Sequence, residues 1–350
     1  MKLSLCIATL NRAKFISETL DSIVSQIEPE VELLILDGAS SDGTGEIVER
    51  YVQRWPAVRY VREATNSGVD QDYDKAVQQA VGDYCWLMTD DDVLRPGAIR
   101  RVLEALTTQP DVVVVNSETR TADLSAVVET SRVALYADRV YGAGEATEFF
   151  VDCANYLSFI GGVVIKRTLW LSRERAAYYG SLFIHVGVIF QTPPIENARL
   201  IVEPLIAIRL GNAMWRGRSF EIWSFKWPDL VWSFKDFSDA AKWRVCQPQP
   251  WRRVNALIYN RALGAYTSDG FDQFIGPHLS GASKIVPWVV ARIPGTLANV
   301  AAVAYLSLRP TPQPMALYSL RLARFANPVS RAIATLFHRR RFGRAAAVSR

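Results

Sequence analysis

Short apolar runs alternate with stretches whose apolar residues recur every three or four positions through the first 117 residues. Runs of that length fit buried strands, and the intervening spacing fits amphipathic helices. The runs predict strands at Leu3 to Ala8, Val31 to Leu36, Val58 to Arg62, Tyr84 to Met88 and Val112 to Val115. Phe15, Ile16, Thr19, Leu20, Ile23 and Val24 carry helical spacing, as do Ile47, Val48 and Tyr51. Alternation of this kind predicts an α/β fold with a doubly wound, mostly parallel sheet. Ligands of such sheets bind outside the carboxyl ends of the strands. Thr9, Asn11, Asp37 and Asp90 to Asp92 all stand at such ends.

Past residue 118 the βα rhythm fades. Residues 1–210 read as one domain whose later part builds the far wall of a cleft, and 211–350 as an aromatic-rich, then basic and helical region. Trp215, Trp223, Trp227 and Trp232 are expected chiefly in a core, because aromatic rings dominate cores. Farther on, Ile285 to Val290 and Leu297 to Ala304 are apolar pieces separated by Arg292, Pro294 and Gly295. Neither reaches the ~20 residues that span a bilayer.

Composition sharpens this picture in three places. With 350 residues and 49% hydrophobic content the chain can bury a sizeable core. Its net charge of +5 hides an asymmetry, since residues 251–350 hold 14 Lys and Arg against 2 acids. A broken, amphipathic, basic segment ending in His338-Arg339-Arg340-Arg341-Phe342 suits an anionic membrane face, with an ordinary helical cap and basic tail as the alternative. No nucleic acid is expected as partner, because no recognised module is present and the front of the chain is acidic. Cys6, Cys85, Cys153 and Cys246 lie far apart without metal or disulfide spacing, which fits a reducing compartment. The start runs straight into a strand, without the features of a signal peptide. The expected location is therefore the cytoplasm, peripheral on the inner face of the membrane.

The strongest chemical signal is Asp90-Asp91-Asp92 after Tyr84 to Met88. Three adjacent carboxylates repel one another unless a cation sits on them. As strand residues, positions 90 and 92 point to the same side, so two of the acids could share one hard divalent ion, Mn²⁺ or Mg²⁺, while the third braces the turn or bonds a sugar hydroxyl. The alternative is a solvated turn that caps the helix announced by Pro96-Gly97-Ala98.

Thr9-Leu10-Asn11-Arg12, then Asp37-Gly38-Ala39-Ser40-Ser41-Asp42-Gly43-Thr44, then the acidic cluster followed by Pro96-Gly97, resemble in order and spacing the inverting nucleotide-sugar glycosyltransferases of family 2, fold type A. Gly68-Val69-Asp70, Gly82 to Leu87 and Tyr179 to Gly187 look most like the abequosyltransferase-type branch of bacterial polysaccharide enzymes. The resemblance covers residues 1–117 well and the remainder loosely. It implies a nucleoside diphosphate sugar as donor and a saccharide or lipid-linked oligosaccharide as acceptor.

Asp37 would then accept the imide hydrogen of a uracil or thymine ring or bond a ribose, with a turn role as the alternative. Thr9 and Asn11 would frame the same nucleoside, and Arg12 would neutralise phosphate or merely start a helix. Asp70, after Asn66-Ser67-Gly68, would line the donor pocket, a charged helix start being the competing explanation. Asp90, Asp91 and Asp92 would hold the metal that bridges the pyrophosphate. The commoner family pattern has two acids at the second strand end, whereas here Asp37 is followed by Gly38.

Relatives place an Asp or Glu as base about 90 residues after the metal site, but residues 176–192 contain no carboxylate. His185 occupies that stretch as candidate base, metal ligand or phosphate partner, or as a core residue, with Glu196 and Glu203 behind it. The rival functions are a non-catalytic sugar-nucleotide-binding or scaffold protein at the membrane, and a nucleotidyltransferase. The latter usually needs a Gly-rich basic loop, and Thr9 to Lys14 contains no glycine.

Overall fold

In the computed structural model, which describes residues 2–309, 311 and 313–334, the predicted strands form close to their expected bounds. They are β1 (Leu3–Thr9), β2 (Val31–Asp37), β3 (Val58–Arg62) and β4 (Tyr84–Met88). The helices between them are α1 (Ile16–Val24), α2 (Thr44–Arg54) and α3 (Val69–Gln79). After β4 come β5 (Val93–Leu94), α4 (Ala98–Leu106), β6 (Val112–Arg120), β7 (Val127–Glu129), β8 (Arg139–Tyr141) and α5 (Ala146–Cys153). The first unit continues with β9 (Val163–Lys166), α6 (Arg167–Ser172), α7 (Ile184–Phe190) and β10 (Ala198–Arg209).

One mixed sheet runs in the order β3-β2-β1-β4-β9-β6-β10-β5, with β7 on β6 and β8 on β10. Its front four strands are parallel, as are β6 and β10. β9 enters antiparallel between β4 and β6, an insertion that the apolar run Val163 to Ile165 cannot announce. Gly161 and Gly162 precede it because a side chain there would strike the rings of Phe159 and Tyr156.

Alternation along β1 decides what faces what. Leu3, Leu5 and Ile7 join Leu33, Ile35, Trp86 and Met88 in a core shared with Ile16, Leu20 and Ile23 of α1 and Ile99 and Val102 of α4. Truncating such a fully buried side chain as Leu20 to Ala costs about 2–5 kcal/mol. α3 packs on β1 and β2 and bonds the Tyr73 hydroxyl to the Met88 carbonyl, 2.9 Å away, at the last residue of β4.

The chain divides into two compact units, Met1–Arg209 with Leu230–Cys246, and Leu210–Asp229 with the chain from Gln247 onward. In the first, Phe150 stacks on Phe237, and Trp232 meets Trp243 edge to face. The second is helical around Phe220, Trp251, Tyr266 and Phe271. There Trp227 is buried, while Trp215 is exposed against the edge of Trp223.

No single helix among the described residues is long and apolar enough to cross a membrane. Gly281–Arg292 and Gly295–Leu308 pass that test only as a pair, bent by 95°. The basic run His338 to Phe342 lies outside the described residues.

Candidate active site

The loops after β1 and β2 are stitched together at the carboxyl edge of the sheet. Thr9 pairs in register with Asp37, and its carbonyl accepts the Gly38 amide at 2.9 Å. Asn11 takes the left-handed conformation that asparagine tolerates, with φ of 54°. Its amide donates to the Ser40 hydroxyl and its side-chain oxygen accepts from the Ser41 amide, both at 2.8 Å. The Arg12 amide donates to the Thr44 hydroxyl at 2.8 Å. Asp37 is fully buried, with one oxygen accepting from the Ser40 amide and the other from the Tyr60 hydroxyl, each at 2.7 Å. One oxygen of this expected nucleoside contact thus holds the turn, and the other holds β3.

β4 ends at Met88, so Asp90 to Asp92 lie in the following turn and strand alternation does not sort them. Of the three, Asp90 and Asp91 are the pair that share an ion-pair partner. Arg12, coming from the neighbouring β1, places Nε 3.2 Å from Asp90 Oδ1 and Nη2 3.1 Å from Asp91 Oδ2. Asp92 braces the turn, accepting the Arg209 amide at 2.7 Å and the Thr89 hydroxyl at 2.6 Å. Burial, then the charge of Asp91, push the Asp90 carboxyl up to about 7 against the pull of Arg12. The same two causes hold Asp92 well above the usual carboxylate range.

Arg209 is the residue that sequence reasoning missed. It ends β10, donates its Nε to the Asp91 carbonyl at 2.9 Å and pairs with Glu18 at 2.7 Å. One buried guanidinium therefore ties the acidic turn to β10 and α1. Nothing local in the sequence marks it, because its partners are 87 to 191 residues away.

Asp70 and His185 are both tied to the segment around α7. Asp70 accepts the amides of Leu182 at 2.8 Å and Ile184 at 3.2 Å, so it anchors the entry to α7. Within α7, His185 is 1% exposed, with Nε2 2.7 Å from the Leu157 carbonyl and no hydrogen-bond partner for Nδ1. Burial lowers its pKa to about 4. Its hydrogen bond goes to backbone and not to any aspartate. Glu203 is exposed and lies 3.9 Å from Arg101, and Glu196 is exposed as well.

Among the described residues, no three His, Cys, Asp or Glu side chains converge as a set able to hold a metal ion by themselves. Asp90 and Asp91 form a two-carboxylate site around a cationic side chain.

Residues 4–159 match the family model Glycosyl transferase family 2. Abequosyltransferase RfbV of Salmonella typhimurium is 28% identical over 227 residues, 61% of this chain and 68% of RfbV. Other curated relatives match over 16–41% of their own length. Among solved structures, Staphylococcus aureus TarS 1–349 in complex with UDP-GlcNAc aligns with a TM-score of 0.53 at 15% identity, covering 98% of this chain and 92% of that one. Mannosyltransferase PcManGT of Pyrobaculum calidifontis, in complex with GDP-Man and Mn²⁺, aligns with a TM-score of 0.50 at 16% identity, covering 99% and 86%. The structural likenesses show the fold alone, and the family match assigns residues 4–159 to Glycosyl transferase family 2.

Proposed function

We propose that the chain transfers a sugar from a nucleoside diphosphate sugar to a saccharide acceptor with the help of a divalent cation. One observation carries this reading: Asp90 and Asp91, at the carboxyl end of β4, share the Arg12 guanidinium from the end of β1. Their oxygens already converge on one positive charge, and hard oxygen donors suit Mg²⁺ or Mn²⁺. Such ions are held by one or two carboxylates with substrate phosphates completing the shell, so two acids fit the group. When bound, the ion would act as a Lewis acid toward the departing diphosphate.

Arg12 then has a role of its own. It neutralises the acids before a donor arrives and stands ready for phosphate oxygens afterwards, since guanidinium binds both groups. Thr9, Asn11 and Asp37 shape the nucleoside side of the same edge. A pKa near 4 and near-complete burial favour a packing role for His185.

A lipid-linked acceptor at an anionic membrane is supported by the second unit. Ile285, Val286, Trp288, Val289, Leu297, Tyr305 and Leu308 are all at least 45% exposed. Arg292 stacks over Trp288 at 4.1 Å and Arg309 over Tyr305 at 5.6 Å, so apolar and cationic groups share this surface. Co-sedimentation with anionic but not neutral vesicles is the expected result.

The central test is a thermal-shift series with UDP, CDP, GDP and dTDP, each with and without Mn²⁺. At least one nucleotide should raise the melting temperature more with the ion than without it. No shift with any of the four would remove the donor reading.

A further inference from the structure

Gly38 and the first turn of α3 form an unassigned contact. A side-chain carbon built on Gly38 would lie 2.9 Å from Asp72 Oδ2 and 3.6 Å from the Asn66 side-chain oxygen. The space beside Gly38 at the end of β2 is thus faced by a carboxylate from another element. Asp72 Oδ1 accepts the Ser67 hydroxyl at 2.6 Å, whereas Oδ2 has no hydrogen-bond partner although the residue is only 4% exposed. An acceptor oxygen with no protein donor is open to one from a ligand. Asp37 differs, because both its oxygens are engaged by Ser40 and Tyr60.

We propose that Asp72, reaching over Gly38, accepts a hydrogen bond from the nucleoside half of the donor and so reads it in place of Asp37. This rests on the nucleoside diphosphate sugar reading above. The matching group is an N–H on the base edge or a hydroxyl of the ribose, either of which satisfies Oδ2. Absence of a side chain at 38 is what lets this oxygen lie against the strand end, where open α/β sheets bind ligands. Burial, with Glu63 and Asp37 nearby and Lys75 opposing them, holds the Asp72 carboxyl above its ordinary range. That is the state of an acid whose charge has too few partners, and a ligand donor would supply one.

The test is calorimetric titration of the wild type, Asp72→Ala, Gly38→Ala and the double variant with UDP, CDP, dTDP and GDP in the presence of Mn²⁺. For the nucleotide that binds, Asp72→Ala should weaken affinity at least tenfold. Gly38→Ala should do the same by displacing Oδ2 and blocking the approach, and the double variant should lose no more than either alone. Gly38→Ala keeps the Asp72 carboxylate in the chain and only shifts it, so the pair remains informative even if Asp72→Ala folds poorly. A 2′,3′-dideoxy analogue and, for a uracil or thymine nucleotide, an N3-methylated one then separate the two sources. The analogue that lacks the relevant donor should bind the wild type and Asp72→Ala equally.

Wild-type affinity in both single variants, with Asp37→Ala alone impaired, overturns the proposal and leaves the donor reading standing. A wild type that binds none of the four nucleotides overturns both.

Discussion

Two acidic segments of this chain look alike in sequence and behave differently in the fold. Asp70, Asp72 and Asp74 open α3, and Asp90, Asp91 and Asp92 follow β4, all of them buried. In the first segment the acids serve separate partners. Asp70 takes backbone amides near α7, and Asp74 accepts the Trp170 indole at 2.8 Å and the Tyr179 hydroxyl at 2.5 Å and forms an ion pair with Arg175 at 2.9 Å. In the second, Asp90 and Asp91 converge on one guanidinium while repelling each other. Burial of an acid therefore does not set the two segments apart, whereas two acids sharing one guanidinium does. Backbone amides and indoles cannot be exchanged for a ligand, but a guanidinium on a flexible stem can turn to phosphate and yield its place to a cation.

Four measurements would break or sharpen that contrast, and the largest effect belongs to the structural acid. Asp74→Ala leaves Arg175 near a lost partner and strips Trp170 and Tyr179 of their acceptor. Urea denaturation should show a loss of about 3–5 kcal/mol, the usual result of breaking a buried ion pair. A loss below about 1 kcal/mol would mean that this network does not hold the fold.

Next comes the pH dependence set by His185. Its folded-state pKa near 4 lies below the ordinary 6.5, so the unfolded chain binds its proton first as pH falls. Its contribution is present above pH 6.5 and is lost on acidification through pH 4, up to about 3 kcal/mol in full. Denaturation at pH 4.5 and 7 should give a smaller difference for His185→Leu than for the wild type. Equal differences would place the ring in contact with solvent and reopen its catalytic candidacy.

Asp70→Ala should cost less, about 1–2 kcal/mol, because the amides of Leu182 and Ile184 lose an acceptor at the entry to a short helix. Its nucleotide affinity should stay within about twofold of wild type, since tenfold corresponds to about 1.4 kcal/mol of direct contact. A larger loss would return Asp70 to the donor pocket.

Smallest on stability is Asp91→Asn, which relieves repulsion with Asp90 as it weakens the hold on Arg12. Melting should move little, while the extra shift that Mn²⁺ gives a bound nucleotide should disappear. A variant that keeps the full Mn²⁺ effect would remove Asp91 from the metal assignment.

Much of the front of the molecule was legible in its residues. Val58 to Arg62 and Tyr84 to Met88 are strands with the expected bounds, and the other three are extended by one to five residues. β10 carried no clear signal, because Pro204 interrupts its apolar pattern at a shift in register between Ile201 and Ile206. The acidic cluster was visible, but its internal division of labour was not. Asp92 turned out to brace the turn through Arg209 and Thr89. Reading 90 and 92 as a same-side pair failed because the strand stops before them.

The sequence by itself determined the order of βα units and hence which residues stand at strand ends, since apolar periodicity and turn residues act over a few positions. Only the tertiary structure decided which acid meets which partner. Asp70 bonds an amide 114 residues away, and Asp92 one 117 residues away. A carboxylate carries no record of its partner in its neighbours. What selects the partner is the packing of strands and helices, which brings distant donors to within hydrogen-bonding distance and excludes the water that would otherwise serve.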